Sequence, residues 1–256
     1  MWKVVLSFAN STITFYVSMN AMIDIVITTF NGEAFVENAI ESILNQSYTN
    51  RNLIVVDDGS EDSTRAIIEK YRDRLTFIGI PHCGNPARVK NIGMRACSAP
   101  YIACLDQDDI AHPHRLQQQV SVLEQNDGIG LVCTNFSITR DGVVDLESFF
   151  SKPSVNKLLN SIPSTPLDEG GGAFQRPIYD ELILNNFIGY STVMMRRSVA
   201  EAVAFFNEKY IGIYDRDLWL RLSKKGVRFA YIADVLSEYR LHGDNLSAQP
   251  QAIANN

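Results

Sequence analysis

Tyr101-Ile102-Ala103-Cys104-Leu105-Asp106-Gln107-Asp108-Asp109-Ile110 sets an apolar run directly against three carboxylates. An apolar run of this length, bounded by polar residues, predicts a buried strand. The carboxylates then fall at its C-terminal end, where ligands bind in open α/β sheets. Crowded negative charges repel, so a cation or hydrogen-bond donors must hold them together. A hard divalent metal carrying a phosphorylated ligand meets that need. The same residues also suit a solvated turn entering a helix, because Asp caps helices. The flanking segments decide between the two.

Upstream the design repeats. Ile23-Asp24-Ile25-Val26-Ile27-Thr28-Thr29 is β-branched and predicts a central strand, broken by Phe30-Asn31-Gly32. Leu53 to Val56 predicts another, ending in Asp57-Asp58-Gly59-Ser60. Between them, Phe35, Val36, Ala39, Ile40, Ile43 and Leu44 fall on one face of a helix over Glu33 to Gln46. A second helix is predicted over Ser63 to Leu75, a short strand over Thr76 to Ile80, and a third helix from Pro86 to Ala96 with proline in its first turn. This alternation predicts an α/β fold with a mostly parallel sheet covered on both faces. The strand ends at Thr28-Thr29, Asp57-Asp58 and Asp106 then share one edge. A pocket of hydroxyls and carboxylates follows from topology.

Downstream, Pro113 to Gln125 predicts a helix with Leu116, Val120 and Leu123 inward, and Leu131 to Ile138 a strand. From Arg140 to Asn186 the pattern weakens around Pro153, Pro163, Pro166 and Gly170-Gly171-Gly172, which predicts a long loop region with one short helix near Val155 to Asn160. Regular structure resumes at Ser191 to Met195, with helical patterns over Val199 to Phe206 and Leu218 to Lys225, the latter ended by Gly226. Strand segments are expected at Phe229 to Ile232 and Val235 to Tyr239. Residues 248–256 read as a tail. Residues 1–21 read as an extension outside the fold, with Met22 as the functional start and a poor signal sequence as the other reading.

The 256 residues are 46% hydrophobic with a net charge of −6, which fits a globular domain and argues against a binder of nucleic-acid backbones. The four cysteines include no Cys-x-x-Cys pair, so a zinc site is not expected. No apolar run is long enough to span a membrane.

Six segments occur in order: Ile25-Val26-Ile27-Thr28-Thr29-Phe30-Asn31, Val55-Val56-Asp57-Asp58-Gly59-Ser60, Lys90-Asn91-Ile92-Gly93, Leu105-Asp106-Gln107-Asp108-Asp109, Asp215-Arg216-Asp217-Leu218-Trp219-Leu220-Arg221 and Tyr239-Arg240-Leu241-His242-Gly243. Together they resemble glycosyltransferase family 2, over about Ile23 to Ser247. The resemblance implies a GT-A fold with a Rossmann-like sheet, in a single domain over 22–247 whose nucleotide-binding half ends near 112. It implies transfer of a sugar from a nucleotide-diphosphate donor to an acceptor hydroxyl, with inversion, in cell-surface polysaccharide or glycan synthesis. Thr28, Phe30, Asn31 and Asp58 match nucleotide-binding positions, with Phe30 as an aromatic face and Asp58 as acceptor for a base N–H. Lys90 stands where the family usually has Arg, facing the nucleotide. Asp106 matches the Asp near the ribose. Asp108 matches the Asp that binds Mg²⁺ or Mn²⁺, and His242 a His near the metal or diphosphate. Asp215 matches the proposed general base. Tyr214 departs from the usual Glu before it, which leaves Asp217 as the other candidate base. The Gln-x-x-Arg-Trp motif of processive synthases is absent, so single addition is expected. The implied partners are a nucleotide-sugar and a glycan or lipid-linked acceptor. The implied location is the cytoplasm, with peripheral contact at the inner face of the membrane. Trp219 reads as a core residue.

Rival readings remain. A sugar-phosphate nucleotidyltransferase needs a Gly-rich basic loop after its first strand, which Thr28 to Glu33 does not supply. A receiver domain with acids at Asp57-Asp58 leaves half the chain unexplained. A catalytically degenerate relative would bind nucleotide-sugar without transfer, and Tyr214 is the residue that favours it.

Overall fold

The computed structural model describes residues 2–8, 11–17, 21–243 and 245, the first two stretches as backbone alone. The elements in order are β1 (Trp2–Phe8), β2 (Ser11–Val17), β3 (Ile23–Thr29), α1 (Val36–Leu44), β4 (Arg51–Asp57), α2 (Thr64–Glu69), β5 (Thr76–Gly79), α3 (Pro86–Ala96), β6 (Tyr101–Asp106), β7 (Ile110–Ala111), α4 (Arg115–Gln125) and β8 (Ile129–Arg140). They continue with β9 (Val143–Leu146), α5 (Pro153–Ser161), β10 (Ser164–Pro166), β11 (Gly172–Phe174), α6 (Tyr179–Leu184), β12 (Val193–Arg196), α7 (Arg197–Ala202), α8 (Tyr214–Lys224) and β13 (Arg228–Leu241).

β1 and β2 pair antiparallel with each other in a sheet of their own. The expected tail at 248–256 lies outside the described residues. Among those residues, eleven strands form one sheet in the order β10-β11-β13-β8-β12-β6-β3-β4-β5, with β7 added to β13 and β9 to β8. Neighbours among β6, β3, β4 and β5 are parallel, as their helical crossovers require. β12 then runs antiparallel to both β6 and β8, while β8 and β13 are parallel. The sheet is thus mostly parallel in its first half and mixed in its second.

Register sets the strand ends level. Thr28 pairs with Asp106 and Thr29 with Asp57, so three acid- or hydroxyl-bearing ends open on one edge. Side chains alternate across the sheet. Ile23, Ile25 and Ile27 pack with Val36, Ala39, Ile40 and Ile43 of α1 and with Leu116, Val120 and Leu123 of α4. Val26 and Val56 pack with Val89 and Met94 of α3 on the other face.

Two buried features fix how these layers meet. Gly93 lies where a Cβ would stand 2.4 Å from Val26 Cγ1 and 3.1 Å from Val56 Cγ2, so its missing side chain lets α3 press onto β3 and β4. Arg115, fully buried, donates from its guanidinium to Cys104 O at 2.8 Å and Val193 O at 3.1 Å, tying α4 to β6 and β12.

The long loop expected from Arg140 to Asn186 is corrected. That segment folds as β9, α5, β10, β11 and α6, and it buries Phe150, Val155, Leu159, Phe174, Ile178 and Leu182 in the core. Its elements are short, and tertiary burial rather than local periodicity holds them. The two strand segments expected near the end are one strand, β13, with register shifts between Ile232 and Val235 and between Val235 and Ser237. Gly226, at φ +87°, closes α8 as expected.

Gly93→Val is expected to lower stability by about 1–3 kcal/mol through overpacking of α3 on the sheet. Urea unfolding followed by far-UV circular dichroism measures this, and an unchanged midpoint would show that α3 moves away freely.

Candidate active site

The edge where the strands end opens into a cleft of about 960 Å³. Every site residue expected from the sequence lines it: Thr28, Phe30, Asn31, Asp58, Lys90, Asp106, Asp108, Asp215 and His242.

At one end, the turn after β3 is stitched to the turn after β4. Asn31 sits at φ 45°, a left-handed conformation that Asn tolerates. Its N–H donates to Ser60 Oγ at 2.9 Å and its Oδ1 accepts from Glu61 N at 2.9 Å. Gly32 N donates to Thr64 Oγ1 at 2.8 Å and Glu33 N to Asp62 Oδ2 at 3.0 Å. These amides are spent on the protein and cradle no phosphate. Asp58 is buried, and its carboxylate accepts from Cys83 N at 2.8 Å and Gly84 N at 3.1 Å, which holds the loop after β5 against the cleft. That loop brings His82, whose ring stacks on Phe30 with centroids 4.1 Å apart. Phe30 thus has one face covered by His82, and it remains 38% exposed.

In the middle, Lys90 is buried to 2% and reaches from α3 beneath the strand ends. Its Nζ donates to Thr28 Oγ1 at 3.2 Å and to Asp106 Oδ1, and it lies 3.7 Å from the centroid of the Tyr190 ring. Lys90 therefore meets the cleft from below, paired with Asp106. Burial pushes the Asp106 carboxyl up; Lys90 pulls it down and Asp108 adds to the rise. The Asp106 amide donates to Ser191 Oγ at 2.9 Å. Gln107 is turned to β3, where its Oε1 accepts from Thr29 Oγ1 at 2.5 Å and Phe30 N at 3.0 Å.

Asp108 meets the end of β13. Its Oδ2 lies 2.9 Å from His242 Nε2 and accepts from Asn245 Nδ2 at 3.0 Å. His242 stacks on Phe35 at 4.3 Å. Among the described residues no group of three or more His, Cys, Asp or Glu side chains suits a metal. One carboxylate and one imidazole converging at a point fit a Mg²⁺ or Mn²⁺ that keeps waters and takes phosphate oxygens. They do not fit a closed zinc site. Asp109 stands apart: it is 1% exposed, accepts from Arg240 N at 3.2 Å, and burial with Asp108 and Asp106 beside it holds its carboxyl well above the usual range.

On the far side, Asp215 occupies the first turn of α8 without capping it, because Ile213 stands at the cap position. Its Oδ1 accepts from Arg216 N at 2.7 Å. Burial pushes its carboxyl up to about 6, with the Arg216 amide and Lys90 opposing and Asp106 adding to the rise. Asp217 turns away and pairs with Arg221 at 2.7 Å. Trp219 is fully buried in the core, as read from the sequence.

A family model, Glycosyl transferase family 2, matches residues 24–202. The chain belongs to this family. It is a glycosyltransferase of the EC 2.4 class, and its fold is GT-A. An uncharacterized glycosyltransferase of Haemophilus influenzae is 28% identical over 234 residues, covering 89% of this chain and 68% of that protein. An Escherichia coli protein, UDP-Glc:alpha-D-GlcNAc-diphosphoundecaprenol beta-1,3-glucosyltransferase WfaP, is 27% identical over 228 residues, covering 89% and 80%. Among solved structures, Staphylococcus aureus TarS 1-349 in complex with UDP-GlcNAc superposes with a TM-score of 0.68 at 16% identity, covering 89% of this chain and 61% of that one. The Pyrobaculum calidifontis mannosyltransferase PcManGT, in complex with GDP-Man and Mn²⁺, does so at 0.65 and 15%, covering 89% and 59%. The chain thus spans about three-fifths of those two chains. Asp215 and His242 lie beyond the stretch matched by the family model.

The sequence reading missed His82, Ser191, Asn245 and Tyr190, the tyrosine against Lys90. His82 had a usable signal, since it follows β5, the fourth parallel strand, which ends on the same edge. Tyr190 and Ser191 carried none, because they lie in a short 3₁₀ turn brought in by the antiparallel strand β12.

A carboxyl raised to about 6 sets two pH dependences. The folded state holds this proton more tightly than the unfolded chain, so its contribution to stability is present at low pH and is lost as pH rises through about 6. Asp215→Asn should therefore gain in Tm relative to wild type between pH 4 and 7. If Asp215 is the base, kcat/KM for transfer rises with pH to a midpoint near 6, and this acidic limb vanishes in Asp215→Asn. A limb unmoved by the substitution would assign it to another group.

Proposed function

We propose that this chain moves a glycosyl group from a nucleoside-diphosphate sugar to an acceptor hydroxyl by single displacement with inversion. The observation that carries the reading is one cleft with Phe30 and Asp58 at one end, Asp106, Asp108 and His242 in the middle, and Asp215 opposite. Phe30 offers its free face to the base. Asp58 holds the loop that shapes this end and keeps lone pairs for a base N–H. Lys90 keeps Asp106 in place beneath the ribose.

Asp108 and His242, with Asn245 beside them, would hold Mg²⁺ or Mn²⁺. Such an ion neutralises the departing diphosphate. Asp215 accepts the acceptor's proton as the new glycosidic bond forms and the bond to phosphate breaks. A carboxyl near 6 is basic enough to accept that proton and still ionised at neutral pH. Asp217, paired with Arg221, does not take this role.

The named acceptor of the Escherichia coli relative, a diphosphoundecaprenol-linked sugar, supports a lipid-linked glycan as acceptor and a role in surface polysaccharide synthesis. No helix among the described residues is long and apolar enough to cross a membrane; the lipid-linked acceptor named for that relative supports peripheral contact with a membrane. The nucleotidyltransferase reading is disfavoured by the spent amides of Asn31, Gly32 and Glu33.

UDP, GDP or dTDP with Mn²⁺ should raise the Tm of the wild-type chain, and stabilisation by none of them would sink the reading. Asp108→Ala should abolish the Mn²⁺-dependent part of that shift. Asp215→Asn should keep it while slowing transfer by about 10²–10⁴-fold. Normal transfer by that mutant would remove Asp215 from the mechanism.

A further inference from the structure

Tyr214 immediately precedes Asp215 and lines the cleft. Its ring is fixed on two sides. Phe206 meets it edge-on at 5.6 Å and 87°, and Lys90 Nζ lies 5.4 Å from its centroid. Among the described residues its hydroxyl takes no hydrogen bond, and it opens on the cleft rather than into the core. Burial, and then the nearby charges of Asp106, Asp215 and Asp108 with the Tyr239 phenol, hold the Tyr214 phenol well above its ordinary range. A phenol in that setting stays neutral and serves as a donor. A rigid donor without a protein partner, set among carboxylates, calls for an acceptor oxygen from a ligand.

We propose that the Tyr214 hydroxyl donates a hydrogen bond to an oxygen of the sugar being transferred. This rests on the transferase reading. Tyr214 adjoins Asp215, where the acceptor proton leaves, and is one ammonium away from Asp106, on the side of the departing nucleotide. What lies between those two positions in a displacement is the donor sugar. The acceptor O–H proton passes to Asp215, and the acceptor oxygen bonds to the anomeric carbon. The bond from that carbon to the diphosphate oxygen breaks, and its electron pair leaves with the nucleoside diphosphate. Tyr214 surrenders no proton; it orients the ring. The sugar oxygens it suits are a hydroxyl, an acyl carbonyl or a carboxylate. A glutamate in its place would repel the last of these.

Tyr214→Phe removes the hydroxyl and keeps the ring. The test compares wild type and variant by titration with Mn²⁺ and either UDP, GDP or dTDP alone, or UDP-glucose, UDP-N-acetylglucosamine, GDP-mannose and dTDP-glucose. Hydrolysis of each nucleotide-sugar, with water as acceptor, is followed alongside. The expected result is unchanged Tm and unchanged nucleoside-diphosphate binding. The preferred nucleotide-sugar should lose its affinity advantage over the bare nucleotide, and its hydrolysis should slow about 10- to 100-fold. Unchanged nucleotide-sugar binding and hydrolysis overturn the proposal. So does an equal loss of bare-nucleotide binding or a lowered Tm, which would assign the hydroxyl to the nucleotide or to the fold. A wild-type chain that binds none of these nucleotides overturns the transferase reading as well, and that failure is visible before any substitution is made.

Discussion

A buried ammonium holds this edge of the protein together. Taking Lys90 out of water costs several kcal/mol unless its charge is met. It is met by Asp106 at the end of β6, by the Thr28 hydroxyl at the end of β3, and by the face of Tyr190. The helix that carries Lys90 comes close enough because Gly93, one turn further on, has no side chain to hold it off the sheet. Two strands, one helix and the turn at Tyr190 are thereby locked to one another around a single cation.

The same cluster shows how four neighbouring carboxyls are kept distinct. Asp106 faces the ammonium, Asp108 faces His242 and Asn245, and Asp109 is sealed beneath Arg240. Among the described residues Asp215 has no cationic partner in hydrogen-bonding contact; its carboxylate accepts from the Arg216 amide. Its proton affinity rises because burial penalises the charged form, with the Arg216 amide and Lys90 opposing and Asp106 adding to the rise. Division of labour among acids of one type is thus set by which donors the fold points at each.

Much of this was legible in the sequence, and the reason is periodicity. The strands β3, β4 and β6 are runs of apolar residues ending in Thr or Asp, and parallel pairing places such ends level without further information. α3 was marked at its start by Pro86 in the first turn, where the structure adds Asn85 accepting from Arg88 N. The stretch from Arg140 to Asn186 hid its structure because Phe150, Val155, Phe174 and Leu182 are inward-facing residues on separate short elements, too far apart to share a period. Arg115 was hidden for a different reason: a charged residue at a helix start reads as solvated, and its partners are carbonyls of distant strands. In the site the acids announced themselves. His82 and Tyr190 did not, since an aromatic residue in a loop has no pattern until the loop is placed.

Asp108 and His242 stand 134 residues apart in the chain and meet only when β13 has laid itself along β8. The end that would hold the nucleobase, by contrast, is built from β3 to β5 and the loops that follow them, with Gln107 after β6 bracing Phe30. During synthesis on the ribosome, the earlier half could mature well before the latter strand emerges. A nascent chain in that condition would lack His242 and Asn245, two of the three side chains proposed to hold the metal. In the proposed reading, the metal-holding end of the cleft is therefore completed only when β13 is seated on β8.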